Sequence, residues 1–191
     1  MGQRFASLAD KHIEFIARQK MFFVATAVET GRVNLSPKGA DSFRVLDPQR
    51  AVWLNLTGSG NETAAHLPRN PRMTVMFCAF EGAPSILRLY GIARAIHRND
   101  PDWTEFVDLF PASPGARQIV ELRIELVQTS CGFQVPLYDY RGDRTLLDDW
   151  AKNKGEAGIR AYWAEKNQIS LDGLETGIRE GNLEGWPIAG T

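Results

Sequence analysis

Leu54-Asn55-Leu56-Thr57-Gly58-Ser59-Gly60-Asn61-Glu62-Thr63-Ala64-Ala65-His66-Leu67, followed at once by Asn70-Pro71-Arg72, is the stretch on which the reading of this chain turns. The apolar run 51–56 predicts a strand, the small polar residues after it a turn, and a short helix starts near Glu62 and runs to Pro68. A strand that hands such a turn to a helix N-terminus leaves backbone N–H groups pointing outward, which suits an anion, most often a phosphate. A capped loop with no ligand uses the same residues, and turn composition does not separate the two. Upstream, Asn34-Leu35-Ser36-Pro37-Lys38-Gly39 reads as a second polar, cationic turn at the end of another strand. Together the two segments predict a phosphorylated ligand held between strand ends.

Two nucleotide-binding folds are excluded by the same residues. A dinucleotide fingerprint needs Gly three residues after the second Gly of the turn, where this chain has Thr63, and no parallel crossover follows. A phosphate loop of the Gly-Lys-Ser/Thr type is absent as well.

Outward from the turn, the period is that of short strands. Residues 22–28, rich in β-branched and aromatic side chains, run to a hairpin signal at Glu29-Thr30-Gly31, with 32–36 as the return strand. A third strand at 42–46 leads through Asp47-Pro48-Gln49-Arg50, a type I turn, into the apolar run. Residues 72–80 and 85–97 form a long hairpin, Asp100-Pro101 opens a helix through Trp103, Phe106, Val107 and Phe110, and 118–129 is a final long strand. Before all of these, Ser7-Leu8-Ala9-Asp10 reads as a capping box for an amphipathic helix over 8–19, with Leu8, His12 or Ile13, and Ile16 on one face. Six or seven strands without regular strand-helix alternation predict a mainly β fold, a mostly antiparallel barrel with peripheral helices.

From Asp143 onward the sequence turns charged and helical, with Leu146, Leu147, Trp150, Ile159, Tyr162 and Trp163 as its apolar positions. This divides the chain into a barrel over 1–140 and a helical C-terminal extension over 141–191. Its final part, 173–191, holds five glycines and few apolar residues, and reads as a loose tail or one ordered by a partner subunit.

The 191 residues fit one large domain or one domain with a tail, and 43% hydrophobic with 24% charged residues is ordinary for a soluble protein. A net charge of −1 with dispersed Lys and Arg gives no nucleic-acid surface. No signal-peptide core, myristoylation site or bilayer-length apolar run is found, so a cytoplasmic location with no membrane contact is expected. Cys78 and Cys131 lack metal or redox spacing, and Cys131, beside Gly132, reads as an inert buried thiol. His12, His66 and His97 have no ligand spacing, so no metal site is expected. His66, in the helix after the turn, could approach the phosphate side, but a solvent-facing helix residue is the favoured reading, and Trp53 reads as core or interface.

The order of these elements, with Ser36-Pro37-Lys38-Gly39, the Thr57–Thr63 turn and Asn70-Pro71-Arg72, resembles the pyridoxamine 5′-phosphate oxidase-like flavoproteins, the FMN-binding split β-barrels, over roughly residues 8–135. Leu87-Arg88-Leu89-Tyr90-Gly91 and Cys131-Gly132 are similar to a flavin-nucleotide-binding branch of that family. The resemblance implies a split antiparallel barrel, a homodimer with FMN at its interface, and a flavin-dependent oxidoreductase with an unidentified small-molecule substrate. A non-catalytic flavin carrier or sensor, or a barrel binding a deazaflavin or haem, are the alternatives. It further implies that Lys38 is the cation nearest the FMN phosphate, with Asn34, Ser36 and Gly39 beside it. Ser59 would give its hydroxyl, Gly60 and Asn61 their amides, with Thr63 next in the turn. Leu54, Asn55 and Leu56 would run alongside the isoalloxazine. Arg88 stands either near a flavin, often that of the second subunit, or simply at an outward strand position. No catalytic acid, base or nucleophile is implied. The oxidase itself carries basic residues where this chain has Gly60-Asn61, so here amides and Lys38 carry more of the phosphate. Glu184-Gly185-Trp186-Pro187-Ile188 also lacks the Trp- and Arg/His-rich segment that grips pyridoxamine phosphate, so oxidation of that substrate is not implied.

Overall fold

The computed structural model describes residues 2–185. Eight antiparallel strands form one sheet: β1 (Gln3–Phe5), β2 (Phe22–Thr26), β3 (Asn34–Lys38), β4 (Phe43–Asp47), β5 (Arg50–Leu56), β6 (Arg72–Cys78), β7 (Ile86–His97) and β8 (Ala116–Ser130). Their order is β3-β2-β6-β7-β8-β5-β4, with β1 added on β8. β8 organises the sheet: one edge pairs with β7 along its length, while the other is shared between β5 and β1. At the β7 register shift Gly91 lies so close to the Arg123 carbonyl oxygen that a Cβ there would be 1.9 Å away. The expected barrel strands are all present. β1 is an eighth that its three residues were too short to announce.

β3 and β4 are the two ends of this order and do not pair with each other, and a side-chain contact from Lys38 to Asn55 crosses the gap between β3 and β5, which is the split of the barrel. Alternation along β5 explains why its whole apolar run is buried. Ala51 and Trp53 face the barrel interior with Phe22, Val24, Phe77, Leu89 and Leu122, while Val52 and Leu54 face outward beneath α3 (Trp103–Val107) with Phe106, Phe110 and Ile119. Phe22, Phe43 and Phe77 pack as a triangle with centroids 5.0–5.7 Å apart.

α1 (Asp10–Arg18) buries His12 and Ile16 against that interior. Ser7 is not its cap. The Ala9 N–H donates to His12 Nδ1 at 3.1 Å, so a histidine on the first turn satisfies the free amide instead. α2 (Glu62–His66) is a single turn and a half. α4 (Leu146–Lys166) breaks at Gly155, whose φ of +65° leaves helical space, and buries Ala151, Ile159 and Trp163. No helix among the described residues is long and apolar enough to cross a membrane.

The segment read as a loose tail is partly ordered. Thr176, Ile178 and Asn182 are fully buried, Ile178 in a cluster with Ile159 and Trp163, ahead of a short π-helical turn at Arg179–Leu183. Asn182 Nδ2 donates to the Arg117 carbonyl at 2.7 Å, which ties the segment to β8. Residues 186–191 lie outside the described part. Cys131 is exposed and Cys78 buried, so the expected buried thiol at 131 is corrected: β8 ends at Ser130, and the next residue lies beyond the sheet, at the surface of the described part.

Replacing Ile178 by Ala removes a side chain with no solvent exposure and is expected to cost about 2–5 kcal/mol. Urea unfolding monitored by tryptophan fluorescence measures it, and an unchanged midpoint would mean that the segment is not docked.

Candidate functional site

Asn34-Leu35-Ser36-Pro37-Lys38 is a strand, where the sequence suggested a turn. Pro37 is tolerated because β3 is an edge. Register with β2 pairs Asn34 with Thr26, Ser36 with Val24 and Lys38 with Phe22, so the three polar side chains share the face of Phe22 and Val24. That face looks across the split. The turn beyond β3 is tight, with Ala40 and Asp41 both in the left-handed region at φ +56° and +52°.

Two polar chains line the split. In the first, Ser36 Oγ donates to Asn34 Oδ1 at 2.9 Å, and Asn34 Nδ2 reaches Thr26 Oγ1 and Thr63 Oγ1 at 3.2 and 3.1 Å. Thr26 Oγ1 lies 3.1 Å from His66 Nδ1. His66 is therefore not solvent-facing: it is 1% exposed, because α2 packs on β2, and its Nε2 meets no partner among the described residues.

In the second chain, Lys38 Nζ donates to Asn55 Oδ1 at 3.3 Å and sits 5.2 Å from the centre of the Trp53 ring, spanning the gap from β3 to β5. Asn55 Nδ2 donates to Gln118 Oε1 at 3.0 Å, which also accepts from Arg117 Nε at 3.1 Å. Arg117 Nη1 continues to Asn167 Oδ1 at 2.7 Å, and Asn167 Nδ2 to the Gly58 carbonyl at 3.0 Å and the Ser59 carbonyl at 3.4 Å. Asn55, Arg117, Gln118 and Asn167 are all buried.

The electrostatics of this chain are one-sided. Neither Lys38 nor Arg117 makes an ion pair among the described residues, and their acceptors are neutral amide and carbonyl oxygens. Burial, and then the charge of Arg117, lowers the Lys38 ammonium to about 8. Burial lowers Arg117 to about 9, so both are charged at neutral pH. Two further buried donors near them, Trp53 Nε1 and Gln118 Nε2, have no acceptor among the described residues. Against these donors stands one buried acceptor in the turn without a partner among the described residues, Asn61 Oδ1, and two cations without a carboxylate favour an anion or another acceptor-rich group.

The turn is anchored from behind. Thr57 is fully buried, its N–H and Oγ1 both donate to the Gly115 carbonyl at 2.7 and 2.8 Å, and its Oγ1 accepts from Trp163 Nε1 at 2.9 Å. The Gly58 and Ser59 carbonyls turn toward Asn167. Ser59 and Gly60 are exposed, and their amides meet no acceptor among the described residues. Asn61 is buried, with Nδ2 on the Asn167 carbonyl at 3.4 Å. Of the strand residues assigned to the ring, Asn55 points into the split. Leu54 and Leu56 turn their side chains outward, and the Leu54 N–H is taken by the Ser42 carbonyl at 2.9 Å.

The structure thus brings together Asn34, Ser36, Lys38, Asn55 and Thr63, with the turn close by. Within one chain Arg88 stays apart: it lies on the face opposite Leu87 and Leu89, with Nη1 on Ser130 Oγ at 3.0 Å. Thr26, Arg117, Gln118 and Asn167 were not foreseen, Trp163 was read only as an apolar position of the extension, and His66 takes the less favoured of its two readings, near the turn and out of solvent. Only Arg117-Gln118 left a sequence signal, two polar residues opening an apolar strand.

The family model described as pyridoxamine 5′-phosphate oxidase matches residues 8–131. A protein of Aspergillus flavus named pyridoxamine 5′-phosphate oxidase family protein ustO is 40% identical, covering 89% of this chain and 76% of that relative. A solved structure from Lactobacillus delbrueckii, of a candidate pyridoxamine 5′-phosphate oxidase, superposes with a TM-score of 0.51 at 19% identity, over 64% of this chain and 94% of the other. One from Clostridium acetobutylicum, related to general stress protein 26 and the pyridoxinephosphate oxidase family, gives 0.50 at 15% identity, over 63% and 86%. At these identities the two structures speak to the fold alone.

Thr57→Val keeps the shape of the side chain but leaves Trp163 Nε1 without an acceptor. It is expected to cost about 1–3 kcal/mol in chemical unfolding, with Thr57→Ser near wild type.

Proposed function

The chain belongs to the pyridoxamine 5′-phosphate oxidase family, and from that premise we propose that it binds FMN in the split between β3 and β5 and acts as a flavin-dependent oxidoreductase on a small molecule. The observation that carries this reading is the pair of cations, Lys38 and Arg117, set among buried unfilled donors with no carboxylate against either. Such a site fits a group rich in acceptors and negative charge, which FMN is at its phosphate and along the polar edge of its ring.

In this reading Lys38 holds a proton at Nζ and faces the phosphate, supported by Ser36, Asn34 and Gly39. The Ser59 hydroxyl and the amides of Gly60 and Asn61 complete that end, with Thr63 at the back. Asn55 presents its amide to the ring edge, and Leu54 and Leu56 contribute backbone. Bound FMN would supply the hydride or electron transfer, and the protein its orientation and the exclusion of water. A second copy of this chain is expected over the open edge of β3, where Val33 and Leu35 are exposed at 72% and 65%. It would place Arg88 within reach of the neighbouring site. The unpaired thiols suit a cytoplasmic setting.

The direct test is the visible spectrum of the purified protein after adding FMN, then NADH or NADPH without oxygen. A yellow protein bleached by either nucleotide is expected, and one that takes up no FMN overturns the reading. Lys38→Met is expected to weaken FMN binding by about 1.5–3 kcal/mol, roughly ten- to a hundredfold, in a flavin fluorescence titration. pH gives an independent check. The ammonium is charged below about 8 and loses its proton above, so affinity should be flat from pH 7 toward 8 and fall beyond. In Lys38→Met that alkaline fall should disappear.

A further inference from the structure

The carbonyls of Gly58 and Ser59 both accept from one side chain, Asn167 Nδ2, at 3.0 and 3.4 Å. The peptide bonds of the described residues are trans. In a trans peptide the N–H of one residue points away from the carbonyl of the residue before it. Two carbonyls turned back toward Asn167 therefore turn the Ser59 and Gly60 N–H groups the other way. Both residues are exposed, and neither amide meets an acceptor among the described residues. The result is a pair of neighbouring donors aimed away from the extension, an arrangement that fits the oxygens of a phosphate.

Asn167 can hold the turn because it is itself held on every side. Its backbone is set by the end of α4, where its N–H donates to the Trp163 carbonyl at 3.0 Å, and by Thr176, whose Oγ1 donates to the Asn167 carbonyl at 2.7 Å. Asn61 Nδ2 reaches the same carbonyl at 3.4 Å, so the far end of the turn is tied to the same residue. Arg117 orients the side chain. A guanidinium only donates, so Asn167 Oδ1 faces Nη1, at 2.7 Å, and Nδ2 is left for the carbonyls. Nη1 also lies 3.4 Å from the Gly58 carbonyl, which reinforces the hold from the same side. Asn167 has no solvent exposure, and it lies beyond residues 8–131, the part of the chain that the family model matches.

We propose that Asn167 is a positioning residue for the phosphate of the ligand. By holding the Gly58 and Ser59 carbonyls behind the turn it aims the Ser59 and Gly60 amides at that group, and so makes the site prefer a phosphorylated flavin to the same flavin without phosphate. The role rests on the flavin reading above, which assigns the phosphate to this turn. An aspartate at 167 isolates the effect. It has the size of asparagine and keeps an oxygen toward Arg117, but it meets the two carbonyls with a second oxygen where a donor stood, and the oxygens repel. The turn is then free to swing its amides away from the ligand.

The test compares FMN with riboflavin, which lacks the phosphate, in flavin fluorescence titrations of the full chain. Asn167→Asp is expected to weaken FMN at least tenfold and to leave riboflavin within twofold of wild type. Asn167→Ala, which loses the donor without adding charge, should weaken FMN at least threefold and again spare riboflavin. Circular dichroism verifies that each variant folds. Equal weakening of both flavins, or wild-type FMN binding in both variants, makes Asn167 a structural residue only and overturns the proposal. The wild-type protein gives a reading that needs no variant: in amide NMR the Ser59 and Gly60 resonances should shift with FMN and stay in place with riboflavin, and amides that ignore FMN, or follow both flavins alike, overturn it too. If the protein takes up neither flavin, inorganic phosphate replaces them. Saturable shifts of those two amides that Asn167→Asp abolishes then support the positioning role and refute the flavin reading, and the absence of such shifts refutes both.

Discussion

A sheet whose edges meet only through side chains must satisfy polar groups at that meeting without the help of a backbone ladder. Here the edge strand β3 meets β5 beyond the stretch of β5 that β4 pairs, and the contact is made by Lys38 reaching Asn55. Everything behind that contact follows from it. Asn55 needs Gln118, Gln118 shares its oxygen with Arg117, and Arg117 is held by Asn167 and the Gly58 carbonyl. Each link is neutral on the accepting side, so no carboxylate among these partners offsets the charge of either cation. A carboxylate anywhere in the chain would bind the cations more firmly and cancel the field they present.

The sequence carried the architecture because its signals were local. Alternation and turn residues such as Glu29-Thr30-Gly31 and Asp47-Pro48 are properties of a few neighbouring residues, and they located seven of the eight strands and the turn. What escaped it was set by partners distant along the chain. His66 looks like a surface residue on a one-turn helix until α2 is docked on β2 and Thr26 comes within 3.1 Å. Asn167 has no local pattern at all, yet it joins Arg117 to the turn. The glycine-rich stretch after residue 173 suggested looseness because its apolar content is low. One fully buried isoleucine and two buried hydrogen-bonding side chains, Thr176 and Asn182, suffice to dock it. β3 was misjudged at its C-terminal end, since a proline and a lysine read as turn residues unless the strand is known to be an edge.

Of the candidate site residues, those on β3 and in the turn were legible as a set, because polar side chains at alternate positions of a strand share a face. Their electrostatic setting was not legible. The burial of Arg117 depends on α4 and the segment after it, which fall outside the family match, while Arg117 itself lies inside it. The part of the chain that the family model matches and the extension beyond it are therefore joined at Arg117.

The bond between Trp163 and Thr57 has a consequence for the order in which the molecule is made. Its two ends are separated by 106 positions, and those of Asn167 and Gly58 by 109. During synthesis the barrel strands leave the ribosome first, and the turn emerges with its rear polar groups facing water rather than protein. Closing so long a loop carries an entropic penalty that short hairpins avoid, so this clamp is among the late events of folding. A nascent barrel can hence be formed before its turn is rigid, and the turn becomes fixed only when the distant helix has been released and docked.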